Sequence, residues 1–134
     1  MEISTEQRGQ ITALAQKYKL KLVLLFGSQA TGLTHSKSDV DIGVLGEGPI
    51  SFDDRLSITG DLYTIFKRGD VEIADLRTSP PLLQREATME GIVLYESGPN
   101  IFERFLMFAQ KNFFETKPLR DIQNKRLARY LVTT

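Results

Sequence analysis

Leu22-Val23-Leu24-Leu25-Phe26 is an unbroken apolar run that stops abruptly at Gly27-Ser28. A run this short, closed by a turn signal, reads as a buried strand. Ten residues later the chain continues Asp39-Val40-Asp41-Ile42-Gly43-Val44-Leu45. That stretch alternates and reads as a second strand with period two. Asp39, Asp41 and Gly43 fall on one face, and Val40, Ile42 and Val44 on the other.

Two carboxylates a few ångströms apart on one strand face repel each other unless a cation sits between them. A hard divalent ion with oxygen ligands answers that need, and Mg²⁺ typically takes a few carboxylates together with substrate phosphates. Gly27-Ser28 opens a short helix, to about Gly32, whose free N–H groups face a phosphate. Metal, carboxylates and a phosphate cradle together point to phosphoryl or nucleotidyl transfer. The plainer alternative is a turn followed by an edge strand with a solvated acidic face. The strand–turn–helix–strand context favours the chemical reading.

Composition narrows the classes further. The chain has 134 residues, enough for one domain with a core, and 17 basic side chains balance 17 acidic ones. A neutral chain is not built to grip a long polyanion, so direct nucleic-acid binding is not expected. There is no cysteine, hence no disulfide framework or thiolate metal site. No apolar run approaches the length of a membrane span, and Met1-Glu2-Ile3-Ser4 lacks a signal-peptide pattern. A cytoplasmic location is the expectation.

Along the chain, Ser4 and Gln7 read as a capping box, with Ile11, Leu14, Ala15 and Tyr18 on one helical face. Ser51 caps a helix to about Phe66, with Leu56, Leu62, Ile65 and Phe66 inward. Arg68-Gly69-Asp70 turns into a strand from Val71 to Leu76. Ser79-Pro80 opens another helix, which Gly91 stops. Ile92 to Tyr95 is a fourth strand, and Asn100 starts a phenylalanine-rich helix. Pro118 is expected to break that helix, leaving Leu119 to Leu131 as a separate, charged one. Phe102, Phe105, Phe108, Phe113 and Phe114 cannot all face one core. Most should pack on the sheet, and any surplus marks a partner surface. The whole reads as one α/β domain without repeats or linkers.

Gly27-Ser28, ten residues, then Asp39-Val40-Asp41 resembles the signature of the DNA polymerase β-like nucleotidyltransferases. The length resembles the minimal nucleotidyltransferases (MNT) of that superfamily. Val71-Glu72-Ile73-Ala74-Asp75-Leu76-Arg77, Pro80-Pro81-Leu82-Leu83 and Glu90-Gly91-Ile92-Val93-Leu94-Tyr95-Glu96 extend the likeness, over roughly residues 20 to 97, to the MntA antitoxins of HEPN/MNT toxin–antitoxin pairs. The resemblance implies an α+β fold with a small mixed sheet and flanking helices. It implies one minimal domain over 1–134, in which residues from about 100 to 134 form a C-terminal helical extension.

It also implies roles. Asp39 and Asp41 would hold two Mg²⁺ ions and orient a nucleoside triphosphate, taken as ATP by analogy. Ser28 would contact phosphate oxygens, unless it is a plain helix N-cap, and Gly27 would let the backbone approach them. Glu72 aligns best with the third carboxylate, which completes the metal site and helps deprotonate the acceptor, although many relatives have aspartate there. Asp70 shares the face of Glu72, while Asp75 lies on the opposite one. His35, Lys37 and Arg77 are cations that could approach phosphates. A lone histidine in a polar loop is more often simply solvated, and Arg77 could equally pair with Asp75 or Glu86. The implied reaction is transfer of AMP to a tyrosine hydroxyl of a cognate HEPN-domain ribonuclease toxin. A domain this short leaves little room for a separate acceptor module. An antitoxin that only binds its partner, and an enzyme acting on a small molecule, are the rival readings.

Overall fold

The computed structural model describes residues 1–27 and 39–133. Their elements follow the order α1 (Thr5–Lys17), β1 (Leu22–Phe26), β2 (Val40–Leu45), α2 (Phe52–Phe66), β3 (Val71–Asp75), α3 (Pro81–Glu90), β4 (Ile92–Glu96) and α4 (Ile101–Thr133). The four strands form one mixed sheet in the order β3-β2-β1-β4. β1 is antiparallel to both β2 and β4, whereas β2 and β3 run parallel. A parallel neighbour needs a crossover, and α2 supplies it.

β1 is central, and all five of its residues are buried. The reason is that helices cover both faces. Val23 and Leu25 join Ile42, Val44, Ile11, Leu14 and the inner residues of α2 on one side. Leu22, Leu24 and Phe26 join Leu76, Ala87 and Phe105 on the other. An apolar run without alternation is what a strand covered on both faces requires.

The helix starts follow local chemistry. Ser4 and Gln7 form the reciprocal capping box of α1, and Ser51 Oγ accepts from Asp54 N–H at the start of α2. Pro80 and Pro81 open α3. At its end, a Cβ on Gly91 would collide with the Ala87 carbonyl oxygen, so only glycine lets the chain turn into β4 there.

Two expectations need correction. Leu56 is 56% exposed, and Ile58, Leu62, Ile65 and Phe66 are the inward residues of α2. Ile58, Leu62 and Ile65 sit at i, i+4 and i+7, and a residue two positions before Ile58 points away from that stripe. The last helix is also not broken: α4 runs from Ile101 to Thr133 with Pro118 inside it. Proline costs a helix one N–H and crowds the preceding turn. Here Arg120 adds donors on that side, from Nη2 to the Phe113 carbonyl and from Nη1 to Thr116 Oγ1, each at 2.6 Å. Its guanidinium also stacks 3.9 Å above the Phe113 ring. The first half of α4 packs on α3, where Asn112 donates to buried Gln84 at 3.1 Å. Every residue from Asp121 to Leu131 is exposed.

Candidate functional site

β1 ends, and β2 and β3 begin, at the same end of the sheet. The register there pairs Phe26 with Asp41 and Asp41 with Glu72. Asp39 stands just ahead of β2 and is exposed, as is Glu72, while Asp41 is half-buried. The alternation of β2 puts Asp41 on the same face as Gly43, above Leu76 and α3. Three carboxylates from two parallel strands therefore gather at one corner. The electrostatics show it: burial pushes the Asp41 carboxyl above its ordinary range, and the charges of Glu72 and then Asp39 push it further. No donor among the described residues reaches the Asp41 oxygens.

Gly27 closes this corner. It has φ +74°, and a Cβ built on it would strike the Asp41 carboxylate. The backbone conformation favours glycine, and a side chain here would have to displace the Asp41 carboxylate, so the turn after β1 rests against the charged group of β2. Ser28, His35 and Lys37, together with the short helix expected after Gly27, lie outside the described residues.

The corner opens into a cleft of about 450 Å³ whose lining includes Gly27, Asp41, Glu72 and, from elsewhere, Arg55, Ser79 and Glu86. Arg55 reaches round the sheet edge from α2 and donates to the Ile73 carbonyl at 2.6 Å. Nothing in the local spacing of α2 marks Arg55 as a cleft residue; only the crossover brings it there.

The other candidates separate cleanly. Asp70 is held by Arg68 through two bonds of 2.6 Å, which lower its carboxyl below the usual range. Asp75 is 6% exposed, with one oxygen accepting from Ile50 N–H at 2.9 Å and the other from Arg77 N–H at 3.0 Å. Arg77 does not approach this corner and pairs with neither Asp75 nor Glu86 through its side chain. Its guanidinium donates to the Gly46 carbonyl at 2.6 Å, beyond the far end of β2. Of the phenylalanines, Phe105 is buried, whereas Phe108 and Phe114 are 52% and 59% exposed.

Among the described residues, no three side chains converge tightly enough to make a ready-built metal cage. The donor set is nonetheless one that suits a hard ion. It consists of oxygen only and carries excess negative charge. It also lies beside a cleft from which a ligand's own oxygens could complete the shell. No helix among the described residues is long and apolar enough to cross a membrane.

Comparison with known proteins points the same way. A family model described as polymerase beta nucleotidyltransferase matches residues 9–100. The protein adenylyltransferase MntA of Shewanella oneidensis is 32% identical over 77 residues, 58% of this chain and 55% of that protein. The match thus spans about half the length of that relative. A crystal structure of a toxin–antitoxin with AMP-PNP aligns with a TM-score of 0.78 at 24% identity, covering 90% of this chain and 98% of the other. A complex of tri-AMPylated Shewanella oneidensis HEPN toxin with MNT antitoxin aligns with a TM-score of 0.73 at 22% identity, covering 92% and 97%. At these identities the structural likeness speaks for the fold.

Proposed function

Because this chain belongs to the polymerase beta nucleotidyltransferase family, we propose that it transfers AMP from ATP to a tyrosine hydroxyl of a cognate HEPN-domain toxin, and thereby acts as the antitoxin. The chain is read as one minimal domain, 1–134, whose helical extension begins near residue 100, working in the cytoplasm. The observation that carries the reading is the register Asp41–Glu72 beside Gly27. It sets Asp41 and Glu72 in the wall of the cleft, with Asp39 beside them, and among the described residues no donor reaches the Asp41 oxygens.

Asp39, Asp41 and Glu72 would supply oxygen ligands to Mg²⁺, two ions in the full site. Bound there, Mg²⁺ would neutralise the triphosphate and stabilise both the attacking and the leaving oxygens. Gly27, having no side chain, lets the backbone come close to the phosphates, and Ser28 would add a hydroxyl. The acceptor oxygen bonds to the α-phosphorus, the bond to the bridging oxygen breaks, and pyrophosphate leaves. Glu72, an exposed carboxylate in the cleft wall, helps take the acceptor proton. The pairing of Asp70 with Arg68 supports Glu72 over Asp70 in that role.

The experiment is co-expression of the chain with its toxin, followed by intact-mass measurement. The expected result is one or more AMP additions on a toxin tyrosine, with toxin silencing that outlasts removal of this protein. The double variant Asp39→Asn, Asp41→Asn should add none. If that variant rescues growth as well as the wild type and the toxin gains no mass, the chain is a stoichiometric binder and not the enzyme proposed.

A further inference from the structure

The opposite end of the sheet carries a second cleft, of about 420 Å³. Leu22 at the start of β1 pairs there with Leu45 at the end of β2. A strand of this length separates the cleft from the carboxylate corner by roughly 15 Å. A triphosphate bound at one end therefore does not reach the other.

Its lining inverts the chemistry of the first cleft. Lys21, Arg77 and Arg104 line it, with Ser97, Phe105 and Phe108, and no carboxylate among the described residues does. Lys21 precedes β1, Arg77 follows β3, and Arg104 lies in the first turns of α4. No ion pair engages Lys21, Arg77 or Arg104 among the described residues. Arg77 is held in place by the Gly46 carbonyl at 2.6 Å, so one guanidinium is already positioned. Ser97 N–H donates to the Lys21 carbonyl at 2.9 Å and ties the rim together. The wall is aromatic: Phe105 is anchored in the core, and Phe108 tilts against it with ring centroids 6.0 Å apart and half its surface open.

Three cations with an aromatic wall select an amphiphilic anion. An inorganic anion would satisfy the cations and leave the rings wet. An apolar ligand would do the reverse. A phosphate monoester can meet several cationic donors at once, and a base attached to it can stack on an exposed ring. The cleft also has the size of ordinary small-ligand sites. We propose that this cleft binds a nucleoside monophosphate group, with its phosphate against Lys21, Arg77 and Arg104 and its base against Phe108. The group could be free or carried on a nucleotidylated side chain.

The test uses the full chain carrying Asp39→Asn and Asp41→Asn, in EDTA, so that the carboxylate corner contributes no metal-dependent binding. AMP titrated by calorimetry at low salt should occupy one saturable site. Lys21→Ala with Arg104→Ala should weaken it at least tenfold, with an unchanged thermal melt. Phe108→Ala, at an exposed position, should weaken AMP several-fold and leave inorganic phosphate unaffected. Binding should fall as salt rises. A peptide bearing adenylyl-tyrosine, titrated in parallel, tells a carried group from a free one; saturable binding of either supports the site. Absence of saturable binding by both, AMP affinity unchanged in the Lys21→Ala, Arg104→Ala variant, or phosphate binding as tightly as AMP would each overturn the proposal. None of these outcomes bears on the transfer reaction at the other end.

Discussion

Asp41 and Asp75 are the same side chain on neighbouring strands, and the fold treats them in opposite ways. Asp75 is buried, and each of its oxygens is met by a backbone N–H. It pins the loop before α2 and the turn after β3 to the sheet. Asp41 is half-buried, faces Glu72 and Asp39, and is met by no donor among the described residues. A buried carboxylate whose oxygens are satisfied holds structure together. One that is desolvated and set among like charges is held ready for a cation. The contrast separates architecture from chemistry without reference to any ligand.

The strongest way to break this comparison is to neutralise the corner. Asp39→Asn with Asp41→Asn should lower AMP transfer by about 10³-fold or more, equivalent to roughly 4 kcal/mol at the transition state, while circular dichroism stays unchanged. Transfer at even a tenth of the wild-type rate would remove the corner from the reaction. Next in size, Asp75→Ala should destabilise the fold by about 3 kcal/mol in chemical denaturation, because two N–H groups lose their acceptor. Turnover per folded molecule should hardly change. A stable but inactive Asp75→Ala would reverse the two assignments.

Glu72→Gln should reduce transfer by about 10²-fold, in line with loss of a proton acceptor, and Asp70→Asn should stay within a few-fold of wild type. Dead Asp70→Asn with active Glu72→Gln would mean that the third carboxylate is the one Arg68 holds. The smallest effect concerns stability and pH. The folded state raises the Asp41 carboxyl above its ordinary value, so it holds that proton more firmly than the unfolded chain does. The associated stability is complete below the ordinary carboxylate range and lost as pH rises through the raised value. Without metal, Asp41→Asn should therefore melt slightly higher than wild type at neutral pH, by about 1 °C, and match it in acid. A lower neutral melt in the variant would contradict the reading of Asp41 as an unanswered charge.

Much of this was legible from residue order. The apolar run before Gly27 and the alternation after Asp39 identify β1 and β2, because strand period depends only on neighbours. The carboxylate corner follows once β3 is placed, and period two already separates Glu72 from Asp75. What local pattern does not carry is any contact between distant segments. Lys21, Arg77 and Arg104 meet only because β1, β3 and α4 begin or end at one end of the sheet. The guanidinium of Arg77 is claimed by Gly46, on the loop beyond β2. Pro118 reads as a stop because the rule for proline considers the backbone alone, whereas the side chain of Arg120, bonded to Thr116 and to the Phe113 carbonyl one and two turns back, supplies donors in the continuous helix.

Pro118 also gives α4 leverage. A helix of 33 residues is about 50 Å long, and its proline sits near the middle, where helices bend. Tyr130 and Leu131 lie about 19 Å beyond Pro118, so a bend of about 10° there carries them sideways by about 3 Å. Both side chains are more than 60% exposed. The stance of anything gripping that tip, relative to the carboxylate corner, thus depends on the angle at a single residue.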